Sequence, residues 1–243
     1  MKKLLHLAGM MVLAGLLAVQ AVAADAPEYP KGSTPVLMVG DSMMRILGAN
    51  MEKEFRLAGI QPAVAFSSLG SGLVRPSVFN WFTKLDELLQ ENKPKTVFVA
   101  LGTNDKQALE TEEGVIINYG DPAWEPAYRV CLARVMDQLL AADVDLVVWF
   151  LLPPMKDAAV QEHAQLVNRI ATELANEDSR KDKVFLYDMA SVFNSRRPGV
   201  FTQYMIAPTA EAITVRDPDG VHLAVGGAKA VAKACVKNFY PGH

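Results

Sequence analysis

The sequence lacks metal-binding spacing, a surplus of positive charge and nucleotide-binding glycine loops. Only two cysteines, Cys131 and Cys235, and four histidines, His6, His163, His222 and His243, occur in 243 residues. They are too scattered for a zinc site, whose ligands recur at short intervals, and no metal or cofactor is implied. Lysine and arginine total 24 against 27 aspartates and glutamates. That balance offers no basic face for phosphates and argues against nucleic acid as a partner. No G-x-G-x-x-G follows the first strand-like run, and no Walker-type G-x-x-x-x-G-K occurs, which argues against nucleotide binding. Repeats and low-complexity segments are missing too. At 51% hydrophobic and 21% charged residues, the chain has the composition of a folded protein rather than a disordered one. Its length suits one large domain or two small ones.

Long apolar runs are also missing, with one exception. Leu4 to Val19 follows the positive start Met1-Lys2-Lys3 and precedes Ala21-Val22-Ala23, the pattern of a secretory signal peptide over residues 1–23. At about 16 residues the run is short for a membrane span of roughly 20, so cleavage after Ala23 or Ala24 is expected rather than anchoring. The mature chain is then expected in the periplasm or outside the cell. An oxidising compartment permits a Cys131–Cys235 disulfide, and two separate buried thiols are the alternative.

After a polar leader over residues 24–34, continuous apolar runs read as buried strands at Pro35–Gly40, Pro62–Ser67, Lys95–Leu101, Asp145–Leu152 and Val184–Asp188. Helical spacing fills the intervals at Met43–Leu57, Pro76–Glu91 with Pro76 at its start, Trp124–Ala141, Ala158–Asn176 and Leu223–Asn238. Strands that are apolar throughout and alternate with helices indicate a parallel sheet covered on both faces, in one domain over residues 35–243. Residues 106–122 and 190–218 interrupt the alternation and are long for connections, as functional loops often are.

Ligands of open parallel sheets bind beyond the carboxyl ends of the strands. Four polar stretches fall there: Gly40-Asp41-Ser42, Ser68-Leu69-Gly70-Ser71-Gly72, Gly102-Thr103-Asn104-Asp105, and Asp217 to His222. Ser42, at a strand-to-helix turn, is either a helix cap or a nucleophile at a site that favours a developing anion. His222 is the one histidine on a loop at that rim, placed to take the Ser42 proton and return it to a leaving group. Asp219 or Asp217 would orient the imidazole, and turn chemistry explains either residue equally well. The Ser42 and Gly70 N–H groups and the Asn104 side-chain amide are candidate oxyanion donors.

The ordered blocks Gly40-Asp41-Ser42, Gly70, Gly102-Thr103-Asn104-Asp105 and Asp219-Gly220-Val221-His222-Leu223 resemble those of the SGNH (GDSL-type) hydrolases. The resemblance implies a flavodoxin-like three-layer α/β sandwich with a five-stranded parallel sheet. It also implies Ser42 as nucleophile, His222 as base and Asp219 as its partner, with Ser42, Gly70 and Asn104 forming the oxyanion hole. Met43 stands where the family string has leucine. Asn104 to Gln107, Trp124, Tyr128, Trp149, Pro153-Pro154-Met155 and Arg216 are similar to an exported bacterial branch catalogued as a domain of unknown function. Related exported branches act on acetyl groups of cell-wall or surface polysaccharides.

Three functions are weighed. The first is an exported serine esterase removing O-acyl groups, O-acetyl foremost, from a carbohydrate. The second is a periplasmic O-acetyltransferase fed by a membrane acyl-donor partner. The third is a non-catalytic glycan-binding accessory protein. Asp105 and Arg216 are candidate substrate contacts, and Arg196 and Arg197 would meet an acidic glycan or simply be solvated. Phe79, Trp81 and Trp124 form either an aromatic wall for sugars or part of the core.

Overall fold

The computed structural model describes residues 28–193, 199–207 and 209–243. The signal-like segment 1–23, Arg196 and Arg197 lie outside the described residues. Five strands form the central sheet: β1 (Val36–Gly40), β2 (Ala63–Ser67), β3 (Thr96–Ala100), β6 (Leu146–Leu151) and β7 (Val184–Asp188). They pair in the order β2-β1-β3-β6-β7, every pair parallel. Helices α1 (Ser42–Leu57) and α5 (Val225–Phe239) cover one face, and α2 (Trp81–Asn92), α3 (Trp124–Ala141) and α4 (Ala158–Ala175) cover the other. Among the described residues no helix is long and apolar enough to cross a membrane.

The strand runs are apolar throughout because both faces are packed. Leu37, Val39, Val97, Val99, Val147 and Trp149 meet α2, α3 and α4. The residues between them, including Met38, Phe98, Val148 and Phe150, meet α1 and α5. Cys131 packs beside the first of these cores and Cys235 lies within the second, so the sheet separates the two thiols and both are free. The described part of the polar leader is docked. Tyr29 sets its ring 5.5 to 5.9 Å from those of Phe185, Tyr187 and Phe239.

The sequence places the start of α2 at Pro76, but the helix begins at Trp81. Pro76 instead follows Arg75 in a turn, where its fixed φ is equally at home, and Arg75 O accepts from the Val78 and Phe79 N–H groups. Asn80 supplies the cap, accepting from the Thr83 N–H. The two long connections each contain a short antiparallel hairpin: β4 (Leu109–Glu110) with β5 (Ile116–Ile117), and β8 (Tyr204–Ile206) with β9 (Ala212–Thr214).

The sheet order positions the site. The chain leaves β1 for β2 on one side and reaches β3 on the other, which opens a crevice at the carboxyl ends of β1 and β3. Ser42 follows β1 directly at that crevice.

Helix α5 seats the last stretch of the site through a close approach. A Cβ on Gly227 would lie 2.1 Å from the backbone oxygen of Val215, and backbone cannot swing aside as a flexible side chain can. Gly227→Ala is therefore expected to cost about 1–3 kcal/mol, as overpacking a tight interface does. Urea unfolding checks this, and an unchanged midpoint would contradict the packing described.

Candidate active site

Asp41 caps α1 by accepting from the Met43 N–H, which leaves Ser42 as the first helical residue with its side chain at the crevice. The Ser42 hydroxyl lies 2.8 Å from His222 Nε2, and His222 Nδ1 lies 2.6 Å from Asp219 Oδ2. The other Asp219 oxygen accepts from the Val221 and His222 N–H groups at 2.8 and 3.0 Å. Burial alone would raise the Asp219 pKa. The His222 ring and these two N–H groups outweigh it and hold the carboxyl at about 2. Asp219 is therefore an anion wherever the protein is near neutral pH, suited to orient the ring and to stabilise an imidazolium. Asp217, the rival in the sequence, uses its backbone instead: its N–H donates to His222 O and its carbonyl accepts from Gly220 N–H. Gly220 turns the loop with φ +76°, and a Cβ there would sit 2.3 Å from that of Lys156.

Ser42, Gly70 and Asn104 follow three adjacent strands, since Gly40 pairs with Ser67 of β2 and with Ala100 of β3. Among the described residues, neither the Ser42 nor the Gly70 N–H has an acceptor. Gly70 holds φ +67° with open space where a Cβ would stand. Asn104 donates one amide hydrogen to Ser71 O at 2.8 Å, which fixes the side chain and leaves its second hydrogen available. Three donors at one rim are the equipment for holding a developing oxyanion.

Two proposed substrate contacts are corrected. Asp105 is fully buried, and its carboxylate accepts from the Leu73 and Val74 N–H groups and the Tyr128 hydroxyl. It ties the loop after β3 to the loop after β2 and does not face the crevice. Arg216 is 1% exposed, with its guanidinium directed at backbone carbonyls instead of solvent. Trp81 and Trp124 belong to the core, not to a sugar-binding wall. Their indole N–H groups hold Ser71 Oγ and Gln107 O respectively. Phe79 stacks beside Phe66, half-buried at the edge of that core. His163 was missed. It is buried, with Nε2 3.0 Å from Gly102 O and Nδ1 3.3 Å from the Tyr119 hydroxyl, and burial lowers its pKa. Its place among Ala164, Val167, Ile170 and Ala171 on the inward face of α4 was the available signal.

The model of the family described as Protein of unknown function (DUF459) matches residues 35–238. No curated protein matches the sequence. A lipase/acylhydrolase from Enterococcus faecalis shares the fold, with a TM-score of 0.55 at 13% identity, over 86% of this chain and 100% of that one. The lipase Lip_vut3 from a goat rumen metagenome is similar, with a TM-score of 0.53 at 14% identity, over 84% of this chain and 97% of that one. At such identities the likeness establishes the architecture, a three-layer sandwich shared with these lipases.

Beneath the crevice lie two buried carboxyls, and burial pushes Asp41 up to about 7 and Asp105 up to about 6 against the opposing pull of their N–H and hydroxyl donors. Both folded values exceed the ordinary 3.8. The native state therefore binds more protons than the unfolded chain between about pH 4 and 7, and stability falls as pH rises through that window. Asp219 and the buried His163 have the opposite sign, but the Asp219 window lies below 3.8 and His163 is one group set against two carboxyls. Melting temperature is thus expected to fall between about pH 5 and 7.5, and to fall less steeply in Asp105→Asn. Parallel profiles for the two proteins would contradict this.

Proposed function

We propose that this chain, which belongs to the DUF459 family of proteins of unknown function, is a serine esterase that removes O-acyl groups, O-acetyl foremost, from a carbohydrate outside the inner membrane. One observation carries the reading: the unbroken line from the Ser42 hydroxyl through His222 to Asp219, at 2.8 and 2.6 Å. Both spacings lie within reach for proton transfer between a nucleophile, its base and an orienting acid. The SGNH-type blocks on a lipase/acylhydrolase fold support acyl chemistry in general.

The chemistry follows from those positions. Ser42 Oγ attacks the ester carbonyl carbon while His222 Nε2 takes the hydroxyl proton. Asp219 keeps the other ring hydrogen on Nδ1 and stabilises the imidazolium. The carbonyl oxygen becomes an anion held by the Ser42 and Gly70 N–H groups and the free Asn104 amide hydrogen. As the tetrahedral centre collapses, the C–O bond to the sugar breaks and the alcohol leaves with the proton from His222. Water then gives a proton to His222 and attacks the acyl-serine, and the acid departs as Ser42 regains its hydrogen.

Side-chain exposure favours water as the second acceptor over a sugar hydroxyl. His222 is 35% and Asp219 47% exposed, whereas a transferase gains from a site that excludes water. An accessible dyad also suits an ester carried on a polymer. The signal-like sequence before Asp25 supports export. The carbohydrate itself is proposed from the resemblance to exported branches that act on acetylated polysaccharides.

Acetate release from an O-acetylated polysaccharide tests the proposal. Ser42→Ala is expected to lower kcat/KM by about 10⁴-fold or more. Asn104→Ala is expected to lower kcat by roughly 10²–10³-fold with little change in KM, the pattern of a donor engaged in the transition state. Acetate release that survives in Ser42→Ala would overturn the nucleophile assignment.

A further inference from the structure

We infer that Arg216 is the positioning residue of the Asp219–His222 pair: its guanidinium closes the neck of the loop carrying both side chains and pins that loop to the segment after β6. The inference rests on the esterase reading given above and assigns Arg216 no contact with substrate.

The loop from Asp217 to His222 leaves and re-enters the fold at one point, where Arg216 and Leu223 form an isolated antiparallel bridge and the Asp217 N–H donates to His222 O at 2.9 Å. A loop this small, attached only at its neck, would tilt freely. The Arg216 side chain fills its interior. Nη2 donates to Val221 O at 2.7 Å and reaches Gly220 O and Met155 Sδ at 3.4 Å, while Nε reaches His222 O at 3.3 Å. Nη1 crosses to Pro154 O at 2.7 Å, outside the loop. The Lys156 N–H reinforces that crossing by donating to Gly220 O at 3.1 Å. The carbonyls of three consecutive residues, the last of them His222, thus converge on one planar cation.

Two features set this arrangement apart from an ordinary buried ion pair. Among the described residues no carboxylate contacts the guanidinium, so carbonyl dipoles do the work of a counter-ion. The Phe201 ring lies 5.1 Å from the guanidinium carbon. Burial pulls the Arg216 pKa down to about 10, with the nearby Asp219 charge opposing the fall, and the side chain stays charged at neutral pH. A fork of fixed donors can serve two separate segments at once, which a lysine ammonium on a flexible stem cannot. Without the fork, several buried carbonyls lose their partners, a cost the loop relieves by moving. Any such movement carries His222 away from Ser42.

Arg216→Lys and Arg216→Met, studied well below their melting temperatures, separate positioning from simple stabilisation. Hydrolysis of an aryl acetate gives kcat and KM. Proton NMR of the low-field Nδ1–H resonance, assigned by its loss in His222→Asn, reports the His222–Asp219 bond without requiring turnover. Arg216→Met is expected to lose about 100-fold in kcat, the scale of a misplacement near 1 Å, with KM within about threefold and the low-field signal lost. Arg216→Lys, the variant more certain to fold, is expected to lose at least about tenfold for the same reason. Folded variants that keep wild-type kcat and the low-field signal, with only a lower melting temperature, would overturn the inference. A wild-type protein that shows the signal but hydrolyses nothing would instead overturn the esterase reading. In that case, loss of the signal in Arg216→Met would still support the positioning role, and its retention would still count against it.

Discussion

The Asp41 carboxylate accepts the Met43 N–H with one oxygen and the Thr103 N–H with the other, and so joins the start of α1 to the loop after β3. The site depends on that pair of hydrogen bonds. The first contact starts the helix at Ser42 and leaves the serine N–H without an acceptor among the described residues. The second brings the stretch containing Asn104 alongside. Both strands run parallel and their loops would otherwise separate at the carboxyl ends, because the sheet order sends the chain in opposite directions after β1 and β3. A short buried acid at position 41 bridges that divergence.

The same device recurs around the rim. Asp105 gathers the loop after β2, Asn104 holds Ser71 O, His163 holds Gly102 O, and Arg216 gathers the final loop. All but the half-buried Asn104 are polar side chains taken from water, and each is held by backbone groups of a different segment. Burying such groups is costly unless every donor and acceptor is paired. Once paired, they fix loop geometry more tightly than apolar contact can, since hydrogen bonds are directional. The residues that meet solvent, Ser42, His222 and Asp219, rest on this buried polar layer. Asp41 and Asp105 give up part of the stability that fully solvated carboxylates would supply at neutral pH.

Much of this was legible in the sequence, and what was not has physical causes. The five strands and five helices are visible because long elements bury many residues and impress their period on the chain. The hairpins β4–β5 and β8–β9 escaped notice because strands of two or three residues carry no period to detect. Pro76 misled because proline's fixed φ serves a turn as well as a helix start. The proposed nucleophile, its proposed base and the candidate oxyanion donors stand in recognisable blocks. Asp105 and Arg216 stand in or beside those blocks too, and from the sequence alone they read as substrate contacts. Charge and position do not distinguish a solvated side chain from one satisfied by distant carbonyls or N–H groups. Only the fold brings Pro154 to Arg216, or Leu73 and Tyr128 to Asp105. The residues alone leave Asp217 beside Asp219, the resemblance points to Asp219, and the folded loop sets Asp219 Oδ2 against His222 Nδ1.

The central claim is that Ser42, activated by His222, carries the acyl group between two half-reactions. Intact-protein mass spectrometry on the folded protein mixed with an activated aryl acetate, sampled over time beside Ser42→Ala, tests it most directly. The account predicts one acetyl adduct on the wild-type chain, located on Ser42, clearing in water and never forming on the variant. An adduct of equal extent on Ser42→Ala, or substrate turnover with the acetyl group on another residue, would contradict it.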